Sequence, residues 1–453
     1  MHTVTADAAT AGAIVRLDAG DSLGKVGVRP DELASRQIKA ELVAASLVAS
    51  GVDAVALGAA DWQLGAEWVR ATVTATKLPV VAANLRCDGA SPYPASVIVQ
   101  RGGKSVGVVG VTAGVVAGCE VTAGREALQA AIAALGAVDV VVALVPLSRK
   151  DSEPMVRDLP VDLLLDADPA RLDPAPKPNG AAWVVGAGAR GQRVGLTALT
   201  WQAGGEGWWA APIGASAQDE VGRVERRLDA LRKRLEAAQG PTRQRLEQQI
   251  ATSEAELTAA AARAESASLG GAGKNLMATR LVELDDKVAD HPTTTALVTT
   301  YKAKLGAPAA DPTVPRVGPP GSPWVGASGC QGCHEVEYAQ WLSTPHARAW
   351  QSLVDDGRAG DPDCFSCHAT AVRSLGGPTR PEEVGGLRDV QCVACHGPGH
   401  DHLADPAAIR PMRAPPEGVC RTCHDGDRDG GRFDPATYLP AVHHRPPAAP
   451  PPG

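Results

Sequence analysis

Short apolar runs alternate with amphipathic segments between residues 13 and 201. Continuous apolar runs of this length are typical of buried strands, and apolar positions at helical spacing in 32–46 and 61–75 predict helices. Residues 101–104 separate two further short runs and predict a β-hairpin. The pattern indicates an α/β layered domain. Its predicted strands are AIVRLD (13–18), DAVALG (53–58), PVVAANL (79–85), VDVVVALVP (138–146) and VDLLLDAD (161–168).

The periodicity changes after residue 213. Aliphatic side chains recur every three or four residues on both sides of Gly240-Pro241, a pair that suits the end of one helix and the start of the next. Residues 214–266 are therefore predicted to form an antiparallel helical hairpin, a coiled coil with charged outer faces. Two roles stay open for it, a solvated brace or an arm for oligomerisation or docking.

The rest of the chain divides by composition. We assign residues 1–213 to the α/β domain and 267–305, which include a predicted helix near 293–305, to a mixed segment that completes the N-terminal part. Six prolines in 306–323 predict a stiff linker. A separate, mostly α and irregular domain follows over 324–445, and the Pro-rich tail 446–453 is predicted to be disordered.

Charge and hydropathy exclude some partners. The chain has 453 residues, only 3% aromatic, and a net charge of −7 without a basic tract, which argues against nucleic acid. No apolar run approaches the eighteen residues of a transmembrane helix. The first residues carry no signal-peptide pattern, so we expect the true start to lie upstream, with a secretion or lipoprotein signal that could anchor the protein to a membrane.

Eight of the ten cysteines form four C-x-x-C-H motifs. In this motif the two thiols bond covalently to a haem, and the next residue, His, becomes the proximal iron ligand. Zinc sites and thioredoxin-like sites do not explain a His after every pair. The sequence thus predicts four haem c groups, held by Cys330, Cys333 and His334; Cys364, Cys367 and His368; Cys392, Cys395 and His396; and Cys420, Cys423 and His424.

The other two cysteines stand alone. Cys87 and Cys119 could pair in an oxidising compartment, but two buried free thiols are the simpler expectation.

Residues 324–444 resemble the tetrahaem cytochrome c family of nitrifying bacteria. The resemblance rests on SPWVGASGCQGCHEVEYAQWLSTPHARAW, DPDCFSCHAT, VQCVACHGPGHDH and CRTCHD. It implies an electron carrier that accepts electrons from hydroxylamine oxidation. It also implies distal iron ligands at His346 and His402, and one haem that can keep an open position.

The distal ligands can be counted from the histidines outside the motifs. The domain offers His346, His400, His402, His443 and His444. His443 and His444 are adjacent, so one iron can use only one of them, and His400 would point away from His402 if the segment were extended. We expect three bis-His haems and one five-coordinate or weakly ligated haem, with Met412 as an alternative fourth ligand.

Residues 13–201 resemble bacterial 5′-nucleotidases of the metallophosphoesterase superfamily, through LDAGDS, DAVALGAAD, LPVVAANL, GGKSVGVVGVT and VVGAGARGQRVGLTALTW. Gly20-Asp21 keeps one family motif. The family's Gly-Asn-His-Glu is replaced by Gly58-Ala59-Ala60-Asp61, a ligand His by Pro146, and the Gly-His-x-His stretch by Asp166-Ala167-Asp168. The resemblance therefore implies the fold of a phosphoesterase without its catalytic metal site.

These observations predict an exported multihaem cytochrome, periplasmic or on the outer surface, that exchanges electrons with redox partner proteins. The α/β part would be a catalytically inactive scaffold or recognition module. Two alternatives stay open. One is a haem enzyme acting on a small nitrogen or oxygen compound at an open haem, and the other is a phosphohydrolase with a tethered cytochrome.

Overall fold

The computed structural model forms two compact units. The first comprises Met1–Val28 and Lys39–Leu297, and the second comprises Arg29–Ile38 and Val298–Gly453. The structure describes residues 2–170, 172–173, 175–188, 191–210, 224–225, 227–228, 231–236, 239–270, 273–285, 287–305, 320–411, 415–425, 429 and 432–444. The predicted linker therefore lies mostly, and the predicted tail entirely, outside the described residues.

A six-stranded mixed sheet is the centre of the first unit, in the order β4-β5-β7-β8-β10-β9. β11, β13 and β12 form a second sheet in that order, and β1-β2 and β3-β6 are two-stranded. The strands are β1 Leu17–Asp18, β2 Ala54–Val55, β3 Leu85–Cys87, β4 Ser96–Arg101, β5 Lys104–Gly110, β6 Cys119–Val121, β7 Val140–Val145, β8 Leu163–Asp166, β9 Lys177–Asn179, β10 Ala182–Gly186, β11 Arg193–Thr200, β12 Trp208–Ala210 and β13 Asn275–Glu283.

Both faces of the six-stranded sheet are buried. Along β7, Ala143 and Val145 face a cluster with the helix residues Leu128 and Ile132, whereas Leu144 packs on the opposite side with residues of the second sheet. Because alternate side chains of a strand point to opposite faces, an apolar strand of this kind needs cover on both. The helices of this unit are α1 His2–Ala11, α2 Leu33–Ala49, α3 Ala59–Trp62, α4 Ala66–Thr76, α5 Gly124–Leu135, α6 Arg149–Val156, α7 Gly240–Gly270 and α8 Pro292–Leu305, the first part of α2 and the last part of α8 lying in the second unit.

All five predicted strands are shorter than their apolar runs, and the runs 13–18 and 79–85 are two clear examples. Only residues 17–18 of the run 13–18 are strand, and the run 79–85 makes a single bridge at Val80 before β3 begins. In the second run, the backbone N–H groups of Val81, Ala82 and Ala83 donate to Val55, Pro94 and Gly110, respectively. The run is buried as predicted, but its hydrogen bonds go to three different segments, so no continuous ladder forms.

Cys87 and Cys119 form a disulfide, which corrects the expectation of two free thiols. They occupy directly opposite positions of the antiparallel pair β3-β6, with a Cα–Cα distance of 4.3 Å. Opposite positions of an antiparallel pair bring two cysteines within bonding range. The two cysteines are 32 residues apart, so the sequence alone does not indicate that they lie opposite each other.

Helical residues lie between β12 and β13. The described residues of 224–236 are helical, and α7 follows. Val224, Leu228 and Leu246 are buried, and ion pairs join Arg227 to Glu256 and Arg232 to Glu254. The residue number of the glutamate falls from 256 to 254 as that of the arginine rises from 227 to 232, which is the order expected for two antiparallel helices.

The second unit consists of short helices and turns. Its apolar clusters are small, one around Trp350 and Phe365 and another around Trp341. Searched over its described residues, the chain has no helix long and apolar enough to cross a membrane. The helices are α9 Ser328–Gln331, α10 Glu335–Leu342, α11 Ala349–Asp355, α12 Phe365–His368, α13 Cys392–His396, α14 His400–Ala404, α15 Glu417–Cys420 and α16 Pro435–Val442, with 3₁₀ turns at Pro30–Glu32, Pro345–Arg348, Pro381–Glu383 and Gly385–Leu387.

Candidate functional site

Each of the four motifs contains or adjoins a helical turn. The His334 N–H donates to the Cys330 carbonyl at 2.9 Å, and the His424 N–H donates to Cys420 at the same distance. In a helical turn, residues three apart lie on one face and the next residue follows on the same side. The local fold thus presents two thiols and one imidazole together, as covalent haem attachment requires.

Three of the motif histidines face a second histidine from outside the motifs. The two imidazole rings of each pair have centroids between 6.1 and 6.3 Å apart. The partners lie far apart in sequence, so the fold and not local geometry brings them together. The pairs are His334 with His402 at 6.3 Å, His424 with His346 at 6.2 Å, and His396 with His444 at 6.1 Å.

These separations fit a six-coordinate haem iron. Metal–imidazole bonds are about 2 Å long and the ring centroid lies roughly 1 Å further, so two axial ligands of one iron have centroids about 6 Å apart. A stacked contact would be much shorter, as in the pair of His2 and His291 at 3.4 Å. The donor set of each facing pair therefore suits haem iron.

Hydrogen bonds at Nδ1 orient several of these rings. Nδ1 of His402 lies 2.6 Å from the Ile409 carbonyl, and Nδ1 of His444 lies 3.3 Å from the Gln340 side-chain oxygen. A ring nitrogen that faces an oxygen acceptor carries the proton, which leaves Nε2 as the metal-binding atom.

Burial favours the neutral form of two of the non-motif histidines. Burial lowers the pKa of His346, and its neighbour His424 lowers it further. Burial and the nearby His396 likewise lower the pKa of His444. An imidazole must be neutral to bind a metal, so both residues are held in the ligating form.

His368 of the second motif differs from the other three. Its Nδ1 faces the Ala349 carbonyl at 2.7 Å and the Ser352 hydroxyl at 3.2 Å, so its Nε2 is available. Within the described part of the chain, no second imidazole ring faces it. Met412, the alternative ligand, lies outside the described residues.

The two remaining histidines of this unit are exposed. His400 interacts with Asp401 at 3.0 Å, and His443 faces the backbone oxygen of its neighbour at 3.1 Å. The segment that carries His400 and His402 is the helix α14 and not extended chain, and the Leu403 N–H donates back to the Gly399 carbonyl. In a helix, residues two apart still point in different directions, so the two rings diverge as the sequence predicts.

The acidic residues at the phosphoesterase-like positions of the first unit are engaged in internal hydrogen bonds. The carboxylate of Asp61 is fully buried and accepts backbone N–H groups of Asp21, Leu23, Gly24 and Gly58 at 2.8–3.0 Å. Burial raises the pKa of Asp61 to about 7, although the N–H donors oppose this shift. Both oxygens hold the surrounding loops together, which is a structural role.

Replacing Asp61 by alanine is expected to destabilise the first unit by about 3 kcal/mol, because four buried N–H groups lose their acceptor. Chemical denaturation followed by circular dichroism measures this change. Asp158→Ala is the matched control, since that side chain is 79% exposed. Equal stability of the two variants would contradict the structural role of Asp61.

A second group of acids at these positions is neutralised by an arginine that the sequence analysis did not single out. The Arg149 side chain donates to Asp166 at 2.7 Å and to Asp173, and its backbone N–H donates to Asp168. Asp173 and Asp166 raise the pKa of Arg149 despite its burial. In the described residues, no group of three or more His, Cys, Asp or Glu side chains is arranged to hold a metal ion.

The comparison with known families identifies the class of the C-terminal part. Residues 329–397, which include the first three motifs, match the family described as cytochrome c554 and c-prime. This part of the chain is therefore related to the c-type cytochromes, whose haem is covalently bound. The chain is also similar to cytochrome c-554 of Nitrosomonas europaea, at 30% identity over 99 residues, covering 18% of this chain and 42% of the relative.

The chain also has low similarity to several solved structures. They include a 5′-nucleotidase precursor from Thermus thermophilus (22% identity, TM-score 0.37, 44% of this chain and 45% of that one). A putative 5′-nucleotidase from Staphylococcus aureus has 13% identity and a TM-score of 0.42 over 76% of this chain and 57% of that one. The Thermus thermophilus sulfate thiohydrolase SoxB has 23% identity and a TM-score of 0.38 over 44% and 39%. The chain thus spans less than two thirds of each of these proteins.

Proposed function

We propose that this protein is a multihaem electron carrier with four covalently bound haems, one at each C-x-x-C-H motif. The observation that carries the proposal is the set of three imidazole pairs, each joining a motif His to a distant His at the separation that one iron requires. Thiols in the same turns supply the covalent bonds. Chance packing would not give three such pairs at nearly one distance.

The residues of the chain have separate tasks in this function. When bound, each haem supplies a one-electron redox couple. The cysteines hold the cofactors at fixed positions, and His334, His368, His396 and His424 are the proximal ligands. His402, His346 and His444 are the distal ligands for the first, fourth and third motifs, respectively, and His443 has no ligand role.

Mass spectrometry and optical spectroscopy of the protein, produced with an export signal and a haem-attachment system, test the proposal. We expect the mass of the chain plus four haems and reversible reduction of all four. Fewer than four covalent haems in the intact protein would contradict it.

A second candidate function is small-ligand chemistry at the haem of the second motif. The observation that favours it is the absence, among the described residues, of a ring that faces His368. Such a haem would be high-spin and would bind carbon monoxide when reduced. Four low-spin haems would exclude this candidate function. Turnover of nitrite, hydroxylamine or peroxide would favour it over simple electron transfer.

We infer that the α/β part is a scaffold or recognition module without phosphoesterase activity, and that the hairpin 214–266 is a brace or an oligomerisation arm. The ion pair between Arg149 and Asp166 and the hydrogen bonds of Asp61 support the loss of activity. Nucleotide hydrolysis assays with Mn²⁺ and Zn²⁺ test it, and metal-dependent turnover would revive the phosphohydrolase alternative.

We also infer that the protein is exported and meets its redox partner proteins outside the cytoplasm. The disulfide between Cys87 and Cys119 supports this location, because disulfides persist in oxidising compartments. Fractionation of cells that produce the chain from its native upstream region tests the inference. Holoprotein in the cytoplasm would contradict it.

A further inference from the structure

A short segment from the beginning of the chain belongs to the second compact unit. Residues 29–38 group with Val298–Gly453, and they place Glu32 and Arg36 beside the second motif. The two side chains are only 4% and 7% exposed. Buried charges are costly unless they are paired, so their partners show what the segment does.

Arg36 binds the residue that directly precedes the second motif. Its two terminal nitrogens donate to the two carboxylate oxygens of Asp363, one of them at 2.6 Å, in a bidentate pair. Asp363 is followed by Cys364. Bidentate pairing fixes both the distance and the angle of the carboxylate, so Arg36 constrains the start of the haem-binding turn.

A second acid supports the same turn from the other side. Asp361 accepts the Asp363 N–H at 2.9 Å and the hydroxyl of Tyr301 at 2.9 Å, while its carbonyl accepts the Cys364 N–H at 3.0 Å. Burial and the Asp361 carboxylate raise the pKa of Tyr301, so its hydroxyl stays a proton donor.

Glu32 contacts three arginines. It lies 3.2 Å from Arg29 and 3.5 Å from Arg36, and it is also paired with Arg373. The Arg373 guanidinium lies over the ring of Phe365, a fully buried residue inside the second motif, at 5.8 Å from its centroid. The buried ion pairs therefore hold Asp363 and Phe365, the residues on either side of Cys364.

We propose that Glu32 and Arg36 position the second C-x-x-C-H turn and set the reduction potential of its haem. The inference rests on the proposed function, since it presumes a haem at Cys364, Cys367 and His368. Oxidation adds one positive charge to a haem, so a nearby cation disfavours the oxidised form and a nearby anion favours it. Weakly screened charges act strongly over short distances. Glu32 and Arg36 are thus positioning residues with opposite electrostatic effects.

Potentiometric titration of the intact holoprotein, in which optical and electron paramagnetic resonance spectroscopy resolve the four haem couples, tests the proposal. Arg36→Gln should lower the reduced-to-oxidised ratio of the second-motif haem about tenfold at a fixed potential, a shift of ~59 mV for one electron. Glu32→Gln should shift the same haem in the opposite direction. Arg36→Lys keeps the charge and should leave the potential near the wild-type value.

Arg380→Gln is the matched control, because it removes an exposed arginine that pairs with Glu383 outside the four motifs. It should leave the potential of the second-motif haem unchanged. The proposal would be overturned if Arg36→Gln and Arg36→Lys shifted the potential equally. It would also be overturned if Glu32→Gln and Arg36→Gln shifted the potential in the same direction, or if neither of these two variants shifted it. Should Arg36→Gln not fold, Glu32→Gln and Arg36→Lys still decide it. A wild-type protein with fewer than four covalent haems would instead contradict the proposed function. Because mass spectrometry counts the haems, it distinguishes this result from a failure of the proposal on Glu32 and Arg36.

Discussion

Cys392→Ala combined with Cys395→Ala is expected to yield a protein that lacks one covalent haem and whose second unit is less stable by at least about 3 kcal/mol, a fall in Tm of about 10 °C. The third motif is partly buried: Val393 is buried, and Cys392 packs against the cluster of Trp341. Because the described apolar clusters of this unit are small, the bound cofactor must supply much of the missing core. Mass spectrometry and thermal melting measure the two effects.

Cys87→Ala combined with Cys119→Ala is the matched control. It removes the same number of sulfurs, in the first unit, and is expected to leave every haem in place. An unchanged number of covalent haems and an unchanged Tm for the third-motif variant would show that these cysteines carry no haem.

His346→Ala is expected to convert one low-spin haem to high-spin. The His346 ring faces His424 at 6.2 Å, so its loss leaves the haem of the fourth motif without a distal ligand. The change is measured by electron paramagnetic resonance, and free imidazole added to the variant should restore the low-spin signal. Such rescue distinguishes a lost ligand from a collapsed fold.

His400→Ala serves as the control for this change, because His400 is exposed and interacts with Asp401. It should leave all four haem spectra as in the wild type. A number of low-spin haems in His346→Ala equal to that of the wild type would contradict the assignment of His346 as a distal ligand.

The four C-x-x-C-H motifs could be recognised in the sequence because they are short and their spacing is local, and the proximal-ligand role of their histidines stays a prediction. The strongest strands could also be recognised, such as β7, whose apolar run is continuous, and so could the hairpin β4-β5, whose turn residues are local.

The partners of the motif histidines could not be derived in this way. His346 lies twelve residues after His334 yet faces His424, and His402 lies near His396 yet faces His334. Sequence distance does not determine which rings meet when the connecting chain is irregular. The role of Arg36 is still harder to predict from the sequence, because its contact with Asp363 spans 327 residues. A single arginine in an amphipathic helix also has no distinguishing pattern.

The arrangement of the thiols has a consequence for how the protein matures. Cys330 and Cys392, from the first and third motifs, are hydrogen-bonded to each other, and this contact lowers the pKa of Cys330. A thiolate beside a second thiol is readily oxidised to a disulfide. The oxidising conditions that join Cys87 to Cys119 would therefore also mispair these two cysteines in the unloaded chain. With the export proposed above, the unloaded chain would depend on a reductant that keeps these thiols reduced until haem is attached.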